Sequence, residues 1–175
     1  YDEYDVDTFC HVWWEKGVEG YDVSDWVNEE CKAPENPIEV IEERYKPKNI
    51  KVEPPRNFKL SDDLYKRTRD KFGYDHPWSE KTLSNVSSHL YSIESAARLI
   101  ENPNDYDFII QSRYDNYIHN FPDLESMDGD HFYLSDHHPR FPDLMYIFSP
   151  KFIETQFTYG KMDELAERHF DKFWE

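Results

Sequence analysis

The chain has 175 residues, with 20 Lys and Arg against 37 Asp and Glu, a formal net charge of −17. Apolar residues make up 38% and aromatic residues 17%, which argues against a disordered chain and for one domain spanning residues 1–175. So acidic a chain repels phosphate backbones and anionic membranes unless a local basic patch or a metal intervenes. This excludes a broad nucleic-acid-binding face and a polybasic membrane anchor. No run of about 18 apolar residues is present, so no membrane-spanning helix is expected. Tyr1-Asp2-Glu3-Tyr4-Asp5 reads as neither a signal nor a transit peptide. The two cysteines, Cys10 and Cys31, do not make a disulfide scaffold and suggest a reducing compartment.

Val6 to Trp14 is rich in β-branched and aromatic residues and predicts a buried strand. Asp22 to Lys32 predicts a short helix capped by Asp22 or Ser24 and broken by Pro34 and Pro37. Pro37 to Tyr45 predicts a second helix, with Pro at its first turn and Ile38, Val40 and Ile41 on its apolar side. Asn49 to Glu53 predicts a strand stopped by Pro54-Pro55, and Asp62 to Lys71 a further helix. Ser79 to Ile100 predicts the longest helix: Leu83, Val86, Leu90, Ile93, Ala97 and Ile100 recur every three or four residues. Phe108-Ile109-Ile110 then predicts a strand, and strand–helix–strand order with apolar strands predicts a parallel α/β sheet. His131 to Leu134 and Leu144 to Phe148 predict two more strands. Ser149-Pro150 opens a predicted helix reaching about Tyr159, and Met162 to Trp174 predicts a closing helix. Five glycines leave no phosphate-cradling loop.

Three groups of residues carry candidate chemistry. The Phe108–Ile110 strand runs into Arg113 and Asp115, at the strand end where open α/β sheets bind ligands. A carboxylate there suits Mg²⁺ or Mn²⁺, and a guanidinium suits phosphate; a plain ion pair is the alternative. Asp128-Gly129-Asp130-His131, Asp136-His137-His138 and Asp143 have the side chains of a metal site, but Asp-Gly-Asp is also a good turn. An acidic solvated loop is the plainer interpretation. His11, Trp13 and Trp14 close the first strand; alternation turns Trp13 and Trp14 to opposite faces, one towards a core and one towards a cleft. Burial alone would also account for His11. No nucleophile elbow is present.

Five segments, in order, resemble a group of glycosyltransferases from bacterial polysaccharide clusters and large or marine viruses. Asp5 to Trp13 is similar to the group's YDVFIHTW strand, and Tyr45 to Glu53 to its Y-x-P-K-x-x-x-V-E segment. Ser88 to Ala96 resembles its S-Q-x-Y-S-I-x-x-A helix, Tyr106 to Asp115 its Y-D-x-V-I-R-x-R-x-D strand, and Pro142 to Ser149 its N-D-x-F-x-x-G/S strand. The resemblance implies a GT-A-like fold, a Rossmann-like, mainly parallel mixed sheet between helices. It implies a nucleotide-sugar donor, a glycan or other hydroxyl acceptor, and Mn²⁺ or Mg²⁺ held at Asp115. Arg113, His11, Trp13 and His89 are then donor-side residues, with His89 where the group tends to have Gln. Asp143 is the expected general base on the acceptor hydroxyl. Arg113 replaces the first acidic residue of the usual D-x-D. A strand with Gly and Arg precedes YDVFIHTW in that group and is missing before Tyr1. The resemblance therefore implies a trimmed chain, or a member that binds sugar without transferring it.

The first expectation is thus a metal-assisted, nucleotide-sugar-dependent glycosyltransferase in the cytoplasm of a bacterium or a virus-infected host. A non-catalytic glycan- or protein-binding domain of the same fold is the alternative. A metal-dependent hydrolase built on Asp128 to Asp143 is the third. Loss of that first strand would leave an exposed sheet edge through which a homo-oligomer could pair.

Overall fold

A computed structural model describes residues 4–16, 36–56, 58–59, 61–72, 80–114, 118, 120–135, 145–161 and 164. The architecture is mixed α/β, with a two-stranded parallel sheet and a three-stranded antiparallel one. β1 (Phe9–Trp13) pairs in parallel with β2 (Asn49–Glu53), and Trp13 stands opposite Glu53. A parallel pair needs a long crossover, and α1 (Pro37–Tyr45) lies within it. Pro37 occupies the first turn of α1, and the Asn36 side chain accepts a hydrogen bond from the Glu39 amide at 3.5 Å. The helix ends where Lys46 enters the left-handed region (φ 44°) and its N–H reaches the Glu42 carbonyl at 3.1 Å.

The two faces of this parallel pair differ in chemistry. Cys10 and Val12 of β1 point to one face and pack with Ile41 of α1, with Trp14, Ile38 and Ile50 around them. The register places His11 beside Lys51 and Trp13 beside Glu53 on the other face, which α3 (Glu80–Ala97) covers. Trp13 and Trp14 therefore do face opposite ways, with Trp14 against the apolar core. β1 is shorter than the apolar run that predicts it, and Val6 is 57% exposed. Between β2 and α3 lies α2 (Asp62–Phe72), which starts at a Ser61 hydroxyl accepting from the Leu64 amide at 3.2 Å and buries Leu64 completely.

The chain's second half departs from the predicted parallel sheet. β3 (Ile109–Ser112), β4 (Phe132–Leu134) and β5 (Met145–Phe148) form an antiparallel sheet in the order β3-β5-β4. Among the described residues, only β1 and β2 pair in parallel, so "mainly parallel" is corrected. The reason lies in β3 itself. Gln111 and Ser112 follow its two isoleucines, and its burial alternates, the pattern of a strand with one solvated face rather than of one buried on both. Ile147 and Phe148 form the sheet's buried centre, and Phe132 stacks on Phe148 at 4.8 Å.

The helix predicted from Ser149 to Tyr159 is a 3₁₀ helix over Pro150–Gln156 and a second one over Tyr159–Lys161. Pro150, Ile153 and Gln156 are its buried residues; their spacing of three suits 3.0 residues per turn rather than 3.6. Branched Ile153 and Thr155 further weaken an α-helix there. The predicted helices at Asp22 to Lys32 and Met162 to Trp174 lie outside the described residues, apart from Glu164. No helix among the described residues is long and apolar enough to cross a membrane.

Candidate functional site

The site is built around the Glu53 carboxylate, on the last residue of β2. Glu53 stops the strand because Pro54-Pro55 cannot continue it. Its register partner Trp13 ends β1, so both side chains sit at the carboxyl ends of two parallel strands. In larger open α/β sheets, ligands bind outside the carboxyl ends of the strands.

Four side chains donate to this one carboxylate. Lys51 Nζ lies 2.7 Å from Oε2, the Tyr91 hydroxyl donates to Oε2 at 2.8 Å, and His11 Nε2 lies 3.2 Å from the same oxygen. Arg56 pairs with Oε1. Three of the four donors therefore share Oε2, and Arg56 holds Oε1, which the Tyr91 hydroxyl also approaches at 3.2 Å. The Glu53 side chain is only 12% exposed. Burial pushes its carboxyl upward, yet hydrogen bonds from Lys51, Tyr91 and His11 outweigh that and hold it at about 2. With its carboxyl held so low, Glu53 stays an anion at neutral pH and is a weak general base. Its chemistry is to orient cations.

His11 is enclosed, its side chain 1% exposed. Burial lowers its pKa, against the opposing pull of Glu53, so the ring is neutral at pH 7. A neutral ring facing a carboxylate carries its proton on Nε2. Nδ1 is then an acceptor with no hydrogen-bond partner among the described residues, and neither has the neighbouring Trp13 Nε1. Because His11 loses rather than gains proton affinity on folding, it opposes stability as pH falls below about 6.5.

Tyr91 brings the ring wall and the charges together. Its ring stacks on Trp13 at 5.4 Å and meets Phe58 at 5.6 Å and Tyr159 at 5.0 Å. Lys51 Nζ and the Arg56 guanidinium lie 5.1 and 5.0 Å from its centre, within cation–π range. Lys51 also donates to the Tyr91 hydroxyl at 3.1 Å and to Ser95 Oγ at 3.4 Å. Tyr91 and Ser95 are four residues apart on α3 and share a helix face.

The structure brings together His11 and Trp13 of the residues expected from sequence. His89 is two residues before Tyr91, so it does not share Tyr91's helix face. Arg113 is exposed beyond β3, on the antiparallel sheet. Its neighbour Tyr114 reaches back to β1, with its hydroxyl 3.5 Å from the His11 carbonyl oxygen and bonded to Cys10. Asp115 and Asp143 lie outside the described residues, as do Asp136, His137 and His138. Asp128-Gly129-Asp130 forms a turn in which Asp128 Oδ1 accepts from the Asp130 amide at 2.8 Å. No three His, Cys, Asp or Glu side chains among the described residues come together as a metal site.

Glu53, Lys51, Arg56, Tyr91 and Phe58 are site residues that sequence reasoning missed. For Lys51 and Glu53 the signal is the alternation in Asn49-Ile50-Lys51-Val52-Glu53, which puts them on one face. Comparison of the chain with known protein families, curated proteins and solved structures finds no match in any of the three.

Proposed function

We propose that this chain is a glycosyltransferase-like domain that seats a nucleotide-sugar donor at the carboxyl ends of β1 and β2. One observation carries the proposal: three segments that resemble the glycosyltransferase group, far apart in sequence, meet at one carboxylate. His11 and Trp13 come from the first, Lys51 and Glu53 from the second, and Tyr91 and Ser95 from the third. The aromatic wall offers faces suited to a base or a sugar. In this proposal the parallel pair β1–β2 is the donor-binding part of a GT-A-like fold, and Asp143 acts on the acceptor hydroxyl as general base. Asp115, as the metal ligand, and Arg113 are the further donor residues of this proposal.

The test is nucleotide release. Purified protein incubated with UDP-, GDP-, CMP- or dTDP-sugars, with and without Mn²⁺, should release nucleotide from one class above the no-protein control. Asp115→Asn should abolish that release. Release from no donor, or undiminished release by Asp115→Asn, overturns the assignment.

A further inference from the structure

On a chain of net charge −17, two cations converge where the parallel strands end. Lys51 and Arg56 face the single charge of Glu53, and His11 adds none while neutral. The cluster is therefore locally cationic by about one charge, a place where an anion is not repelled by its immediate neighbours. Both cations remain open to solvent: their side chains are 39% and 48% exposed, against 12% for Glu53. The acidic group lies beneath and the basic groups lie at the surface.

Arg56 has hydrogen-bonding capacity to spare, and Lys51 holds one of its three contacts only loosely. A guanidinium has five N–H donors in a fixed fork, and Arg56 has its Glu53 bond as its one hydrogen bond among the described residues. The three Lys51 ammonium protons meet Glu53 at 2.7 Å, Tyr91 at 3.1 Å and Ser95 at 3.4 Å. The contact to Ser95 is the longest and the easiest to exchange for a ligand oxygen. Tyr91, Trp13 and Phe58 back the cluster with aromatic surface, which lowers the local dielectric and strengthens attraction to an anion.

We infer that Lys51 and Arg56 form an oxyanion subsite for a diphosphate, with Glu53 as the positioning residue that fixes both cations. The subsite deepens the donor proposal, naming the residues that hold the diphosphate. It can be tested apart from that proposal, because inorganic pyrophosphate carries neither nucleoside nor sugar.

The experiment is calorimetric titration of the full chain with pyrophosphate in EDTA at low salt. Wild type should bind saturably. Arg56→Gln and Lys51→Met should each weaken binding by about tenfold or more, the worth of one charge-assisted hydrogen bond. Lys66→Met, at an exposed position of α2 that makes none of the cluster's contacts, makes the same charge change and should bind like wild type. Arg56 is half exposed, so Arg56→Gln should stay folded and keep the test valid if Lys51→Met does not. Equal weakening by all three variants, or no binding by wild type, overturns the subsite. Pyrophosphate binding without nucleotide release leaves the subsite standing and removes the transferase. Nucleotide release without pyrophosphate binding does the reverse.

Discussion

Glu53→Ala is expected to lower the unfolding free energy by about 2–3 kcal/mol at pH 7. Hydrogen bonds to a charged group are each worth about 1.5–3 kcal/mol net, and losing one partner of a fully buried ion pair costs about 3–5 kcal/mol. Here Lys51 and Arg56 can rehydrate, because their side chains are 39% and 48% exposed. His11 cannot, and its Nε2–H would be left buried without its acceptor. The expected value therefore falls below the fully buried case. Urea denaturation measures it, and a loss under about 0.5 kcal/mol, as for a surface pair, would mean that Glu53 organises nothing.

The same residue sets a pH window. Its folded pKa of about 2 lies below its ordinary 4.5, so the stability it contributes is complete above about pH 4.5 and is lost as pH falls towards 2. Between those values, wild type should lose stability more steeply than Glu53→Ala. Parallel acid limbs would contradict the hub.

Trp13→Ala should cost about 3 kcal/mol, the low end for removal of a large aromatic ring, because Trp13 is partly buried. The indole meets Tyr91 at 5.4 Å, His11 at 4.7 Å and Phe58 at 5.9 Å. Its loss should free Tyr91 to tilt and slacken the grip on Lys51. Trp13→Phe keeps a ring there and should recover over half of the loss. Equal loss in both variants would mean that the indole's particular shape, rather than an aromatic wall, matters.

The parallel half of the fold can be read directly from sequence, because its signals are local. Asn36-Pro37 starts α1, and Pro54-Pro55 ends β2. The spacing from Val86 to Ala97 marks α3. The antiparallel half is harder, because pairing of β3 with β5 spans more than thirty residues and nothing in Ile109-Ile110 names its partner. The site is read only in part for a similar reason. His11 and Trp13 stand out as polar and aromatic residues in an apolar run. Lys51 and Glu53 look like the solvent side of a short strand, until α3 closes over them with Tyr91 and Ser95. Resemblance drew attention to His89, whereas helix geometry puts Tyr91, two residues on, at the carboxylate.

The most direct test of the donor seat is a thermal-shift screen of UDP-, GDP-, CMP- and dTDP-sugars on wild type and Arg56→Gln. A ligand at about 100 times its Kd stabilises by about 2.7 kcal/mol, a rise of roughly 5–10 °C for a domain of this size. One nucleotide class should raise the wild-type melting temperature by that amount, and Arg56→Gln should lose most of the rise. A cooperatively melting wild type that no nucleotide-sugar shifts would contradict a donor seat at the ends of β1 and β2.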